Sequence, residues 1–178
     1  GRHQQEPLCR VLASIDGEVS KQALLNIVRT GQEGLRTKAL VALVEHDRIH
    51  PSVARDLTIE ALSETTSYPA TSQLVHVLAA LDDPEANEHL MKLLAASKTI
   101  MGDFKVQAII SAISSKGSAQ LLTNAIEHIR TMPAGRIRQN MISSLRLDRP
   151  DSREFLREIA SGTGREASSV LASFAWQA

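Results

Sequence analysis

Cysteine, aromatic residues and net charge are all scarce in this chain, and each scarcity closes off a class of function. Cys9 is the single cysteine among 178 residues, which excludes an internal disulfide and any cluster of thiolate metal ligands. It stands beside Leu8 on a short apolar stretch with Arg10 as its basic neighbour, so it reads as a buried structural thiol rather than a nucleophile. A lone thiol fits a reducing, cytoplasmic setting, and a disulfide-free secreted or periplasmic protein would share the feature. The five aromatics, Tyr68, Phe104, Phe155, Phe174 and Trp176, read as scattered over core and terminal positions. Nucleic-acid readers usually stack bases on such rings or present a strongly basic surface. Here 20 basic and 20 acidic side chains cancel, and no overall field draws the protein to a polyanion. No apolar run approaches the roughly 20 residues needed to span a bilayer. The stretch from Gly1 to Pro7 is polar and has no signal-peptide core. A chain opening on Gly1 rather than methionine reads as a processed or excised piece of a longer protein.

What the chain does have is repetition. With 43% hydrophobic residues and a length in the usual single-domain range, one elongated domain over residues 1–178 is expected. Apolar residues fall at i, i+3, i+4 and i+7, the spacing of one helical face, and strand-like alternation is absent. Three positions recur in six first helices. They are Leu8, Val11, Leu12; Ala39, Ala42, Leu43; Leu74, Val77, Leu78; Ile109, Ala112, Ile113; Met141, Ser144, Leu145; and Val170, Ser173, Phe174. The successive steps from Leu8 to Ala39, Leu74, Ile109, Met141 and Val170 are 31, 35, 35, 32 and 29. A recurrence of this size marks a solenoid, whose helix pairs bury their apolar faces against their neighbours. The expected fold is all-α, about five and a half helix pairs.

Turn chemistry places the second helices. Asp16 and Gly17 turn the chain into a helix over 19–29 with Ser20 as its cap, and Gly31 and Gly34 break it before a helix over 35–47. His50-Pro51, Asp83-Pro84 and Pro150-Asp151 each open a second helix, since proline is tolerated where a first-turn N–H has no partner to lose. Ser118 caps a helix over 118–131. Tyr68-Pro69, Met132-Pro133 and Ser161 to Gly164 separate the units. Leu90, Leu93 and Leu94 match Leu122, Ala125 and Ile126 in register, and Leu156, Ile159 and Ala160 continue the series.

Arg36, Ala39, Ala42 and Leu43, together with the turn Asp82-Asp83-Pro84-Glu85-Ala86 and the following Leu90, Leu93 and Leu94, resemble short HEAT repeats, of the armadillo-like class. Met141, Ser144 and Ser173 depart from that pattern. The resemblance implies a right-handed α-α superhelix whose second helices line a concave face, and a role in gripping proteins. Ala167, Val170, Leu171, Phe174 and Ala175 make an apolar stripe with no second helix after it, so this end is expected to continue in a longer chain, to meet another chain, or to pack wholly on the fifth unit.

Candidate chemical sites are sparse. His46 and His50 have the i,i+4 spacing of a metal pair, with Glu45 and Asp47 nearby, but Pro51 takes His50 out of helical geometry; they read as solvated histidines. Glu88-His89 and Glu127-His128 are adjacent and point to different sides of a helix, which makes them poor acid–base couples. Ser161-Gly162-Thr163-Gly164 opens a helix but lacks the strand and lysine of a phosphate loop. No Gly-x-Ser-x-Gly elbow is present. No cofactor, metal or catalytic motif is expected.

Charge distribution carries more content. Glu45 to Asp103 holds ten acids and four bases, net −6, whereas Arg130 to Arg165 holds eight arginines and four acids, net +4. Arg153 and Arg157 stand one helical turn apart, and Glu154 can pair with Arg157 at i,i+3. The expected function is a non-catalytic scaffold that binds a protein or peptide with acidic groups. Taken with the HEAT resemblance, Arg55, Lys92, Asn124, Arg153 and Arg157 are the expected inner-face positions because they avoid the apolar stripes. The alternatives are nucleic-acid binding through the arginine-rich end, in the manner of HEAT-like DNA glycosylases, an enzyme-accessory or lyase module, and a spacer within a larger enzyme.

Overall fold

Helix punctuation follows the turn residues closely in the structure, a computed structural model that describes residues 5–96 and 103–175. Among the described residues there are eleven helices and no strand: α1 Gln5–Ser14, α2 Glu18–Thr30, α3 Glu33–Glu45, α4 Pro51–Glu64, α5 Tyr68–Ala80, α6 Pro84–Ala96, α7 Asp103–Lys116, α8 Ala119–Thr131, α9 Arg136–Ser143, α10 Pro150–Ala160 and α11 Arg165–Ala175. Among the described residues, no helix is long and apolar enough to cross a membrane. Pro51 and Pro150 open α4 and α10. The Ser118 hydroxyl accepts from Leu121 N–H at the start of α8, and Asp83 caps α6 by accepting from the N–H groups of Glu85 and Ala86, both at 3.0 Å. Asp47 and Asp82, 35 residues apart, both take positive φ, 51° and 49°, just past the ends of α3 and α5. At the first, Asp47 N–H bonds to Val44 O and Arg48 N–H to Leu43 O, a Schellman ending with aspartate in the left-handed position glycine usually fills.

Several expectations need correction. Ser20 does not cap α2: it is buried inside the helix, and its hydroxyl donates back to the carbonyls of Ile15 and Gly17. Tyr68-Pro69 is the first turn of α5 rather than a separator. Gly34 lies within α3, while Gly31 ends α2 and has no room for a side chain, since a Cβ there would come within 2.5 Å of the Ile27 carbonyl. In α1 the core contacts come from Cys9 and Ala13, and the predicted stripe turns outward, with Leu8 and Val11 exposed. Helix α9 ends at Ser143, so Ser144 is its C-cap and Leu145 is buried beyond the helix. Tyr68 and Phe104 are exposed rather than core, as is Leu171 on α11, while Ala167 and Val170 are buried. Trp176, and the side chains of Ser173, Phe174 and Ala175, lie outside the described residues.

Contacts divide the chain into two compact units, Gly1–Ala86 and Asn87–Ala178. In the first, α3 packs on α1, α2, α4 and α5; in the second, α7 packs on α8 and α9, α8 on α9 and α10, and α11 on α9 and α10. Every one of these pairs joins helices one or two apart in sequence. The other predicted stripes form the core: Ala39, Ala42, Leu43, Leu74, Val77 and Leu78 in the first unit, Ile109, Ala112, Ile113, Leu122, Ala125 and Ile126 in the second. Burial of each large aliphatic side chain contributes about 1.5–3 kcal/mol.

Polar tethers repeat between layers. Arg48, between α3 and α4, donates to Asp16 Oδ1 at 2.6 Å and to the carbonyls of Ile15 and Gly17, clamping the α1–α2 turn. Arg149, between α9 and α10, donates to the Gly117 carbonyl of the α7–α8 turn at 3.0 Å. Beside it, Arg146 N–H donates to the buried Ser114 hydroxyl at 2.7 Å. Glu33 of α3 accepts from the N–H groups of Thr66 and Ser67, fixing the entry to α5.

Candidate functional site

Within the second unit, an open groove of roughly 400 Å³ lies between the C-terminal ends of α8 and α10 and the first turns of α9 and α11. Its walls carry Arg130, Arg138, Glu158, Glu166 and Thr163, with Phe155 at its base. Arg130 pairs with Glu127 and Glu158, and its guanidinium sits 5.3 Å from the centre of the buried Phe155 ring. Such a cation–π contact fixes the charge over an apolar floor. Hydrogen bonding to Glu158, and beyond it the charges of both glutamates, hold the Arg130 pKa above its ordinary value. Arg138 donates to the carbonyl of Met132 at 2.9 Å and to that of Arg130 at 3.3 Å. It also meets Glu166 at 3.3 Å, though Arg138 Nε and Glu166 Oε1 are each buried without a hydrogen-bond partner. The cations of the groove are therefore committed to carboxylates of the same unit, and a charged ligand would have to displace them.

The groove residues follow a spacing that the sequence reading missed. Arg130–Glu158 and Arg138–Glu166 are each 28 residues apart, as are Arg55–Asp83 and Arg36–Glu64 in the first unit. Arg130–Glu158 and Arg138–Glu166 join helices two apart in sequence, Arg55–Asp83 joins α4 to the turn before α6, and Arg36–Glu64 joins neighbouring α3 and α4. The spacing is shorter than the steps of 29 to 35 between the apolar stripes, which is why the repeat alone did not reveal it.

The five predicted inner-face residues are not alike. Arg55 has a side chain only 14% exposed and pairs with Asp56, Asp83 and Glu85, so it binds the start of α6 rather than facing outward. Its own pKa is raised, first by the hydrogen bond to Asp56, and Asp83 is held below the usual carboxylate range, first by the Ala86 N–H. Lys92 is exposed and pairs with Glu88 at 2.6 Å; Asn124 is exposed and accepts from Gln120 at 2.9 Å. These two occupy the same register and share the same i,i+4 self-pairing. Buried Leu122, Ala125 and Ile126 align with Ser152, Phe155 and Leu156 at an offset of 30, and not with Leu156, Ile159 and Ala160 as expected, because Ile159 and Ala160 are only half-buried; this makes Glu154 the counterpart of Asn124. Arg153 and Arg157 instead match Thr123 and Glu127, on the neighbouring ridge. Arg153 is exposed and gives its Nε–H to the Leu147 carbonyl at 3.0 Å. Arg157 is exposed and its side chain has no hydrogen bond or ion pair among the described residues; the expected Glu154–Arg157 pair is not formed.

The other motifs resolve locally. His50 is the N-cap of α4 and its ring accepts from Ser52 N–H, while His46 ends α3. No group of three or more histidine, cysteine or acidic side chains that could hold a metal occurs among the described residues. His89 and His128 are half-buried and hold their protons more weakly than usual because burial disfavours the charged form, with Lys92 adding to the effect at His89. Cys9 is buried, and Gly162 and Thr163 line the groove. No protein-family model, no curated protein and no solved structure matches the chain.

Proposed function

We propose that this chain is a non-catalytic interaction module made of HEAT-like helix pairs stacked as a solenoid, which takes a protein or peptide bearing acidic groups on the exposed side of α10. The observation that carries this reading is Arg157: an exposed guanidinium with no partner among the described residues, one helical turn from the exposed Arg153, in a unit whose groove arginines are already paired. Arg153 commits only its Nε–H, to Leu147. Two guanidinium forks at this spacing suit carboxylates of an acidic segment. Packing between helices one and two apart, and the repeated Arg48 and Arg149 tethers, support the repeat reading.

The test is a peptide-display selection against the immobilised chain. Acidic sequences are expected to be enriched, and the Arg153→Glu, Arg157→Glu double variant should weaken the best binder at least tenfold, the loss typical of a central anchor. Selection indifferent to acidity, or binding unchanged in the double variant, removes α10 from the site. Capture of oligonucleotides with a steep salt dependence would move the assignment to nucleic acid.

A further inference from the structure

We infer that the segment bound on α10 is itself an α-helix carrying acidic and basic side chains in two adjacent rows, rather than an acidic run; this rests on the reading of α10 as the binding side. The outward face of α10 holds two rows of opposite sign. Arg153 and Arg157 form one and Glu154 and Glu158 the other, all four exposed, and within each row the two residues stand about 6 Å apart along the axis. At about 100° per residue, the buried Ser152, Phe155 and Leu156 centre about 150° round the helix from Glu154. The line opposite that buried side therefore runs between the two rows, and a partner laid along it meets both. The rows are not spent on each other. The Glu154 and Arg157 side chains make no hydrogen bond or ion pair among the described residues. Glu158 accepts from Arg130 through Oε2 alone, and its side chain remains 58% exposed.

Charge complementarity selects the occupant. A run of acids reaching for the arginines would bring its other carboxylates against Glu154 and Glu158, and a polyanion meets the same repulsion. A segment with acids over Arg153 and Arg157 and bases over Glu154 and Glu158 is matched at all four positions. Like charges set opposite one another are what exclude the wrong partner. The matched segment has to show both rows on one side. In an extended strand, adjacent residues point to opposite faces, so rows of acids and bases taken from neighbouring positions part company. In a helix, i and i+4 form one row and i+1 and i+5 the next, about 100° away, with the same rise of about 6 Å as the rows of α10. The pattern that fits is therefore acids at i and i+4 with bases at i+1 and i+5. Exposed ion pairs contribute little each, so the four together give weak binding, with a dissociation constant on the order of 300 μM.

Labelled alanine-based helical peptides of equal length, titrated with the full chain by fluorescence anisotropy, test this. The first carries glutamates at i and i+4 and lysines at i+1 and i+5. The second keeps that composition but moves the lysines to i+2 and i+6, on the far side of the peptide helix, and the third has glutamate at all four positions. The first should bind at least about threefold more tightly than either of the others. Glu154→Lys, at an exposed position, should leave the far-ultraviolet circular dichroism and melting temperature unchanged and reverse the order, so that the all-glutamate peptide binds best. An all-glutamate or far-side peptide that binds the unaltered chain as tightly as the first, or an order unchanged by Glu154→Lys, overturns the inference. The reading of α10 as a site for acidic groups then still stands, provided that the Arg153→Glu, Arg157→Glu double variant weakens whichever peptide binds best. Binding unchanged in that double variant, or no binding of any peptide up to about 1 mM, overturns the reading of α10 and this inference with it.

Discussion

Ser152 sits fully buried in the first turn of α10, and its hydroxyl has no hydrogen-bond partner among the described residues. A desolvated hydroxyl left unpaired costs about 1–3 kcal/mol, while removing it leaves a void smaller than a methyl group. Ser152→Ala is therefore expected to raise stability by about 1 kcal/mol in chemical denaturation; a loss would show that the hydroxyl has a partner. Phe155, one turn further on, behaves oppositely. It is 2% exposed and forms both the floor of the groove and the surface under Arg130. Phe155→Ala should cost about 3–5 kcal/mol, the range for a truncated core aromatic, and a cost near zero would mean that the ring is not part of the core.

Asp83 shows how a single element is set. It closes α5 to α6 by capping two N–H groups while holding Arg55 across the layer. Asp83→Ala is expected to lower stability by about 1 kcal/mol, the usual loss on removing a cap, and Asp83→Asn, which keeps the cap but not the charge, should recover part of it. Helix starts were legible in the sequence because proline, aspartate and serine act locally, through the backbone groups next to them. The outward turn of the α1 stripe was not legible: Leu8 and Val11 differ from Leu74 and Val77 only in what lies beside them, and among the described residues α1 packs on its unit through Cys9 and Ala13. Arg55 was misread for a related reason. A position off the apolar stripe can be solvated or can flank the stripe, and the flanking positions are where ion pairs between layers form. The exposure of Arg153 and Arg157 was legible because they fall opposite the buried Phe155–Leu156 side.

At the scale of the whole molecule, the two units differ in what acid does to them. Glu33 and Asp83, both of the first unit, are held below the usual carboxylate range, first by the Ser67 and Ala86 N–H groups respectively. Groups that bind protons more weakly when folded stabilise the fold above their unfolded pKa, here about 4, and that contribution is lost as pH falls through their lower folded values. His89 and His128 belong to the second unit, and burial lowers both. Their unfolded forms take up protons near pH 6.5, before the folded forms do, so the second unit begins to lose stability at about that pH and continues to lose it until the folded histidines titrate. Glu88 and Asp148, also of the second unit, are lowered by Lys92 and Arg146, but these pairs are exposed and surface pairs contribute little. The two units are each compact, so a loss in one need not spread at once to the other. Amide hydrogen exchange, corrected for intrinsic rates, should therefore show protection in α8 and α10 falling as the pH drops below about 6.5, while protection in α3 and α5 holds down to about pH 4 and is lost below it. Replacing both histidines with Gln should flatten the first step and leave the second. Loss of protection in α3 and α5 before α8 and α10 would mean that the buried histidines do not govern the acid response of the second unit.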